Sequence, residues 1–83
     1  MILLEQAIKL YYEAYPTRLI DNALDVGDEW VFSACDRETG LEIDASPIAV
    51  NKDSGALRVF FPPNNVHKLA GAKHIPLTEL ENK

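Results

Sequence analysis

The spacing of apolar residues changes once along this chain, at Pro16, and that change limits the folds open to it. Before the proline, Leu4, Ile8, Tyr11 and Tyr15 recur at intervals of three and four, with Leu3, Ala7, Leu10 and Ala14 beside them. That is the stripe of an amphipathic helix. Glu5, Lys9 and Glu13 occupy the opposite face, and Glu5 precedes Lys9 in the favourable i, i+4 order. Proline disfavours helical geometry in the residue before it, so the spacing predicts a helix over about residues 3–15.

After Pro16 the period drops to two. Ile20, Asn22, Leu24 and Val26 alternate with Asp21, Ala23 and Asp25, which reads as a half-buried strand or an edge. Gly27-Asp28 marks a turn, and Glu29 to Cys35 is the strongest strand signal. Trp30, Phe32 and Ala34 share one face there, assigned to the helix side because aromatic burial dominates so small a core. Leu41 to Asp44 reads as a short edge strand or a looped excursion. Strands are expected over about 47–52 and 56–61, joined by a turn at Lys52-Asp53-Ser54-Gly55 and ended by Pro62-Pro63. Asn65 is placed to cap a short helix that Gly71 ends. Ile75-Pro76-Leu77 reads as an extended anchor and Thr78–Lys83 as a last turn. Hairpin-sized connections imply antiparallel pairing. The expected fold class is therefore α+β: an N-terminal helix packed on a three- to four-stranded antiparallel sheet, in two layers. The sheet's second face, with Val31, Cys35 and Phe60, is expected to be thinly covered.

At 83 residues the chain has room for one domain, spanning 1–83. A chain this short buries only about 60–65% of its unfolded surface, too little for a second core. Its apolar fraction of 47% is that of a folded protein. Cys35 is the only cysteine, so no internal disulfide can form, and small secreted domains usually carry several. The start, Met1-Ile2-Leu3-Leu4-Glu5, lacks the basic segment of a signal peptide, and no run approaches the ~20 apolar residues of a membrane span. A cytoplasmic location away from membranes is expected.

Residue types that carry chemistry are present, but not in the patterns chemistry requires. His67 and His74 stand seven apart with no cysteine cluster to complete a metal set. Cys35 lies in strand alternation within an acidic segment, the wrong setting for a reactive thiolate, and is expected to be a buried structural thiol. Asp25, Asp28 and Glu29 flank a turn, where carboxylates are usually solvated instead of enclosed as a catalytic pair. No glycine-rich phosphate loop occurs, and the loops from Asp36 to Gly40 and from Asp53 to Gly55 lack the spacing of a calcium-binding hand. No catalytic residue, metal or cofactor is expected.

Val26-Gly27-Asp28-Glu29-Trp30-Val31-Phe32, followed by Ser46-Pro47-Ile48-Ala49-Val50-Asn51-Lys52-Asp53-Ser54-Gly55, resembles the immunity protein 35 family, whose relatives include YrhB-like small proteins. The likeness covers the helix through Phe61. It implies a bacterial protein, made beside a polymorphic toxin, that binds the toxin and protects the producing cell. Two other roles fit a chain with no catalytic set: a small chaperone-like module or a cystatin-like inhibitor. A small enzyme of cystatin-like fold is the remaining rival and would need carboxylates in a deep apolar pocket.

The net charge of −5 is unevenly placed. Between Asp21 and Asp44 eight acids face one base, Arg37, for a balance of −7; the remaining five acids and seven bases leave +2. Such a surface disfavours nucleic acid and favours a basic protein. The partner-binding candidates are Asp25, Asp28, Glu29, Glu42 and Asp44. The expected partner is a cognate toxin with a basic surface, met by a monomer or weak homodimer. Reversing Asp28 and Glu29 to lysine is expected to leave the thermal transition nearly unchanged. The apolar face around Val31 and Phe60, or a sheet edge, is the rival docking site.

Overall fold

The computed structural model describes residues 1–43 and 45–76. It is an α+β fold: one long helix lies across a five-stranded antiparallel sheet. The helix α1 runs Leu4–Ala14 and turns Ala7, Ile8 and Tyr11 into the core. The Gln6 side chain reaches back to accept the Leu3 N–H at 2.8 Å, satisfying one of the free donors of the first turn. Pro16 ends the helix where its spacing predicts.

The strands are β1 (Arg18–Asp25), β2 (Glu29–Asp36), β3 (Ile48–Asn51), β4 (Leu57–Val59) and β5 (Lys73–His74), in the spatial order β4-β3-β2-β1-β5. Four of them form a meander. The fifth returns to the outer side of β1, so the sheet has one strand more than the alternation suggests. β1 is thereby an inner strand, not an edge. Ile75 follows β5, donates its N–H to the Ala23 carbonyl at 3.0 Å and buries its side chain in the core, as an anchor should. The rest of the expected tail, Leu77 and Thr78–Lys83, lies outside the described residues.

Ile20, Asn22, Leu24 and Val26 do not share a face. Ile20 pairs with Ala34, but Asn22 pairs with Ser33, leaving Asp21 as an extra residue in the strand. This bulge exchanges the two faces of β1. Ile20 and Ala23 join the core beneath α1, with Phe32, Ile48 and Val50, while Leu24 and Val26 pack on the opposite side. Trp30 is half-buried against the α1 core, on the face expected of it.

The second face is better covered than the sequence suggests. Pro62–Asn65 forms a 3-10 turn that leads into a short helix α2 (Val66–Ala70). Leu69 from this segment closes over Val31, Ala49 and Phe60, of which Val31 is 3% and Phe60 1% exposed. That rival docking face is therefore core. Asn65 does not cap α2 through its side chain; its amide donates to the Phe61 carbonyl at 2.8 Å and holds the 3-10 turn.

Two turns share one design. In Asp36–Gly40 and in Asn51–Gly55, the first side chain accepts the N–H groups two and three residues on, and the closing glycine donates to the first carbonyl. Gly40 and Gly55 have φ of 72° and 76°, open to glycine at little cost. After Gly40 the chain makes a looped excursion that meets the sheet at the Cys35–Glu42 bridge and at Leu41, whose carbonyl accepts the Asp36 N–H at 2.9 Å.

Candidate functional site

The register of β2 separates the acidic segment into two ends. Glu29 begins the strand and Asp36 ends it, seven steps of ~3.3 Å away, or about 23 Å. Asp25, Asp28 and Glu29 lie at the Gly27 end, and Glu42 lies beside the opposite end. Asp44 is outside the described residues. The candidate set is thus not one cluster.

At the Gly27 end the carboxylates are matched by cations brought in from later strands and helices. Glu29 is 3% exposed. Its two oxygens accept from Arg58 Nε at 2.7 Å and Nη2 at 2.8 Å, and Lys68 Nζ adds a bond at 2.9 Å. The Arg58 fork, helped by Lys68 and opposed by burial, holds the Glu29 carboxyl below the usual carboxylate range. Asp28 receives Lys68 at 3.1 Å. Asp25 receives Lys52 Nζ at 2.7 Å, and the same ammonium lies 4.1 Å above the Trp30 ring. Burial opposes the charge on Asp25, but the Lys52 bond and the Gly27 N–H outweigh it and lower its pKa. Glu29 is therefore committed inside the fold. Reversing it to lysine would place a third cation against Arg58 and Lys68, so the expectation of an unchanged thermal transition fails for this residue.

At the opposite end an open cleft of about 440 Å³ lies between α1, the end of β2 and the loop after Gly40. Tyr11 and Phe32 line it with rings in edge-to-face contact, 5.7 Å between centroids. Asp21, exposed at the bulge, and Glu42, exposed on the loop, stand among its polar lining with Arg18. Arg18 lies 4.3 Å over the Tyr15 ring and donates to the Tyr11 hydroxyl at 3.4 Å. Burial pushes the Tyr11 phenol up, against the lowering effect of Arg18. Arg37 lies 5.0 Å over Tyr12, whose hydroxyl accepts the Ile20 N–H at 3.0 Å. The tyrosines thus hold two arginines in place as well as filling the core.

Cys35 also lines the cleft, half-buried, with its thiol donating to the Leu19 carbonyl at 3.6 Å. Asp36 beside it accepts the Thr39 and Glu38 N–H groups, which lower its pKa. Neither histidine is near: His67 is on α2 and His74 on β5, both exposed. Among the described residues no three metal-ligating side chains converge, and no helix is long and apolar enough to cross a membrane.

Sequence reasoning missed Arg18, Asp21 and Tyr11 as members of this end. Arg18 follows the helix closely, and its stacking on Tyr15 depends on how the chain turns at Pro16. Asp21 is the unpaired residue of the bulge, which alternation in the sequence does not reveal. In comparison with known proteins, the chain matches no family model, no curated protein and no solved structure.

Proposed function

We propose that this chain is a non-enzymatic immunity protein that neutralises a cognate bacterial toxin by binding it, and that the cleft end of the sheet makes the contact. The observation that carries the reading is the partition of charge. The Gly27-end acids are satisfied by Lys52, Arg58 and Lys68, whereas Asp21, Glu38 and Glu42 make no ion pair among the described residues. Acids left unmatched beside an aromatic-lined cleft suit a basic protein surface, whose long cationic side chains could enter between Asp21 and Glu42. The partner is a toxin with a basic active face, and the site of action is the cytoplasm of the producing cell.

The test is association with the cognate toxin, measured by stopped-flow mixing across a salt series. The double variant Asp21→Lys/Glu42→Lys should slow association about tenfold or more and flatten its salt dependence. Asp28→Lys, at the compensated end, should change the rate much less. Association insensitive to salt and to the double reversal would overturn the proposal.

A further inference from the structure

We infer that β4 pairs with the β4 strand of a second copy of this chain, as an antiparallel two-fold strand pair centred on Val59. β4 is an edge of the sheet, and its inner bonds fix which groups point outward. The Phe60 N–H donates inward to Pro47, and Asn51 donates to the Ala56 carbonyl. Alternation then turns the backbone groups of Leu57 and Val59, and the Phe61 N–H, away from the sheet. An edge in this state is complementary to another strand, and proteins ordinarily blunt it with charge or proline. Proline comes only after the strand, at Pro62, and among the described residues nothing else guards one face of it. Leu57, Val59 and Phe61 share the face toward α1, yet Val59 is 59% and Phe61 51% exposed because α1 does not reach them.

The edge suits a copy of itself. With the axis at Val59, each Val59 exchanges both backbone bonds with its counterpart, and each Phe61 N–H donates to the other copy's Leu57 carbonyl. The Phe61 carbonyl is already occupied by Asn64 N and the Asn65 amide, so the pair ends there. On the apolar face Val59 meets Val59 and Phe61 meets Leu57, which makes one continuous stripe. An axis at Arg58 would instead set two guanidinium groups directly opposite, so that register is disfavoured.

Charge points to the same occupant. Residues 54–76 contain no acid, and Arg58 is matched internally by Glu29, so two β4 edges approach without the repulsion that a net charge of −5 creates elsewhere. A basic partner has no comparable attraction to this edge. The contact is short, well below the ~800 Å² per partner of a stable interface, so the dimer is weak, with a dissociation constant of about 0.1 mM.

Sedimentation equilibrium of the full chain from about 10 μM to 1 mM, with hydrogen exchange at both limits, tests this inference. The mean mass should rise from monomer toward dimer, and the Val59 and Phe61 amides should gain protection only at high concentration. Val59→Lys should raise the dissociation constant at least about tenfold while its circular dichroism stays native. Leu41→Lys, at an exposed site on the far loop, should leave the dimer unchanged. A protein that stays monomeric to about 1 mM overturns the inference. So does a dimer that survives Val59→Lys, or amide protection at Val59 that needs an added extended peptide of another sequence.

Discussion

Truncating Glu29 to alanine strands two cations that were brought together to meet one carboxylate. Arg58 is half-exposed and can turn back to water, so the loss stays below the full cost of orphaning a buried charge. Glu29→Ala should therefore cost about 2–3 kcal/mol, read from urea unfolding. Trp30 sets a different kind of test. Its indole N–H is buried and meets no hydrogen-bond partner among the described residues, so the ring acts by area and by stacking beneath Lys52. Trp30→Phe keeps most of that area and should cost only about 1 kcal/mol, against about 3 kcal/mol for Trp30→Ala. A Trp30→Phe loss as large as that of the alanine variant would show that the indole nitrogen has a role the geometry does not reveal. Both residues stood out in the sequence, Trp30 as core and Glu29 as a surface acid. Only Trp30 could be placed correctly from spacing, because the burial of Glu29 depends on Arg58 and Lys68, which follow it by 29 and 39 residues.

Elements whose partners are near in sequence were legible, and those with distant partners were not. Helix α1 and the β2, β3 and β4 hairpins follow from apolar period and turn residues alone. β5 has no period to detect in two residues and exists only because β1 offers an edge. The short helix α2 is expected between Asn65 and Gly71, but it is too short to show a stripe, so its closure over Phe60 could not be read from spacing. The bulge in β1 is the most instructive miss. Strict alternation over Ile20–Val26 is real in the sequence, but Asp21 interrupts it in space. Deleting Asp21 should give a regular strand in which Ile20 still faces Ala34 and Asn22 still faces Ser33. Such a variant should stay folded within about 1 kcal/mol of the parent. Deleting Ala23 instead drives Leu24 into the crowded α1 face and should cost several kcal/mol. Equal losses from the two deletions, compared by thermal melts, would argue against this account of the bulge. The candidate site was legible to a similar degree: the acidic run was plain, but its division into a compensated end and a free end came from register.

Across the whole molecule groups at both ends of the sheet set the response to pH. Glu29, Asp25 and Asp36 are all held below their ordinary values of 4.5, 3.8 and 3.8. A carboxylate with a depressed pKa adds stability that is complete above its unfolded value and is lost as pH falls through its folded value. The acid limb should therefore begin near pH 4.5 and steepen below pH 3.8. On the alkaline side burial raises Tyr11 above 10.0, and its bond to Glu29 raises Lys68 above 10.5. Groups with raised pKa values add stability that is complete below the unfolded value and is lost as pH rises through the folded one. Melting temperature should then be nearly level from about pH 5 to pH 10 and fall on both sides. Glu29→Gln separates this origin from general charge repulsion. It removes the ion pair that the acid limb titrates, so the plateau should drop while the acid limb becomes shallower, and the two melting curves should converge as pH falls. Glu42→Gln removes one negative charge as well, but from a residue that makes no ion pair among the described residues, and should leave the limb as steep as before. If both variants shifted the acid limb equally, net charge would govern acid unfolding in place of the Arg58–Glu29–Lys68 cluster.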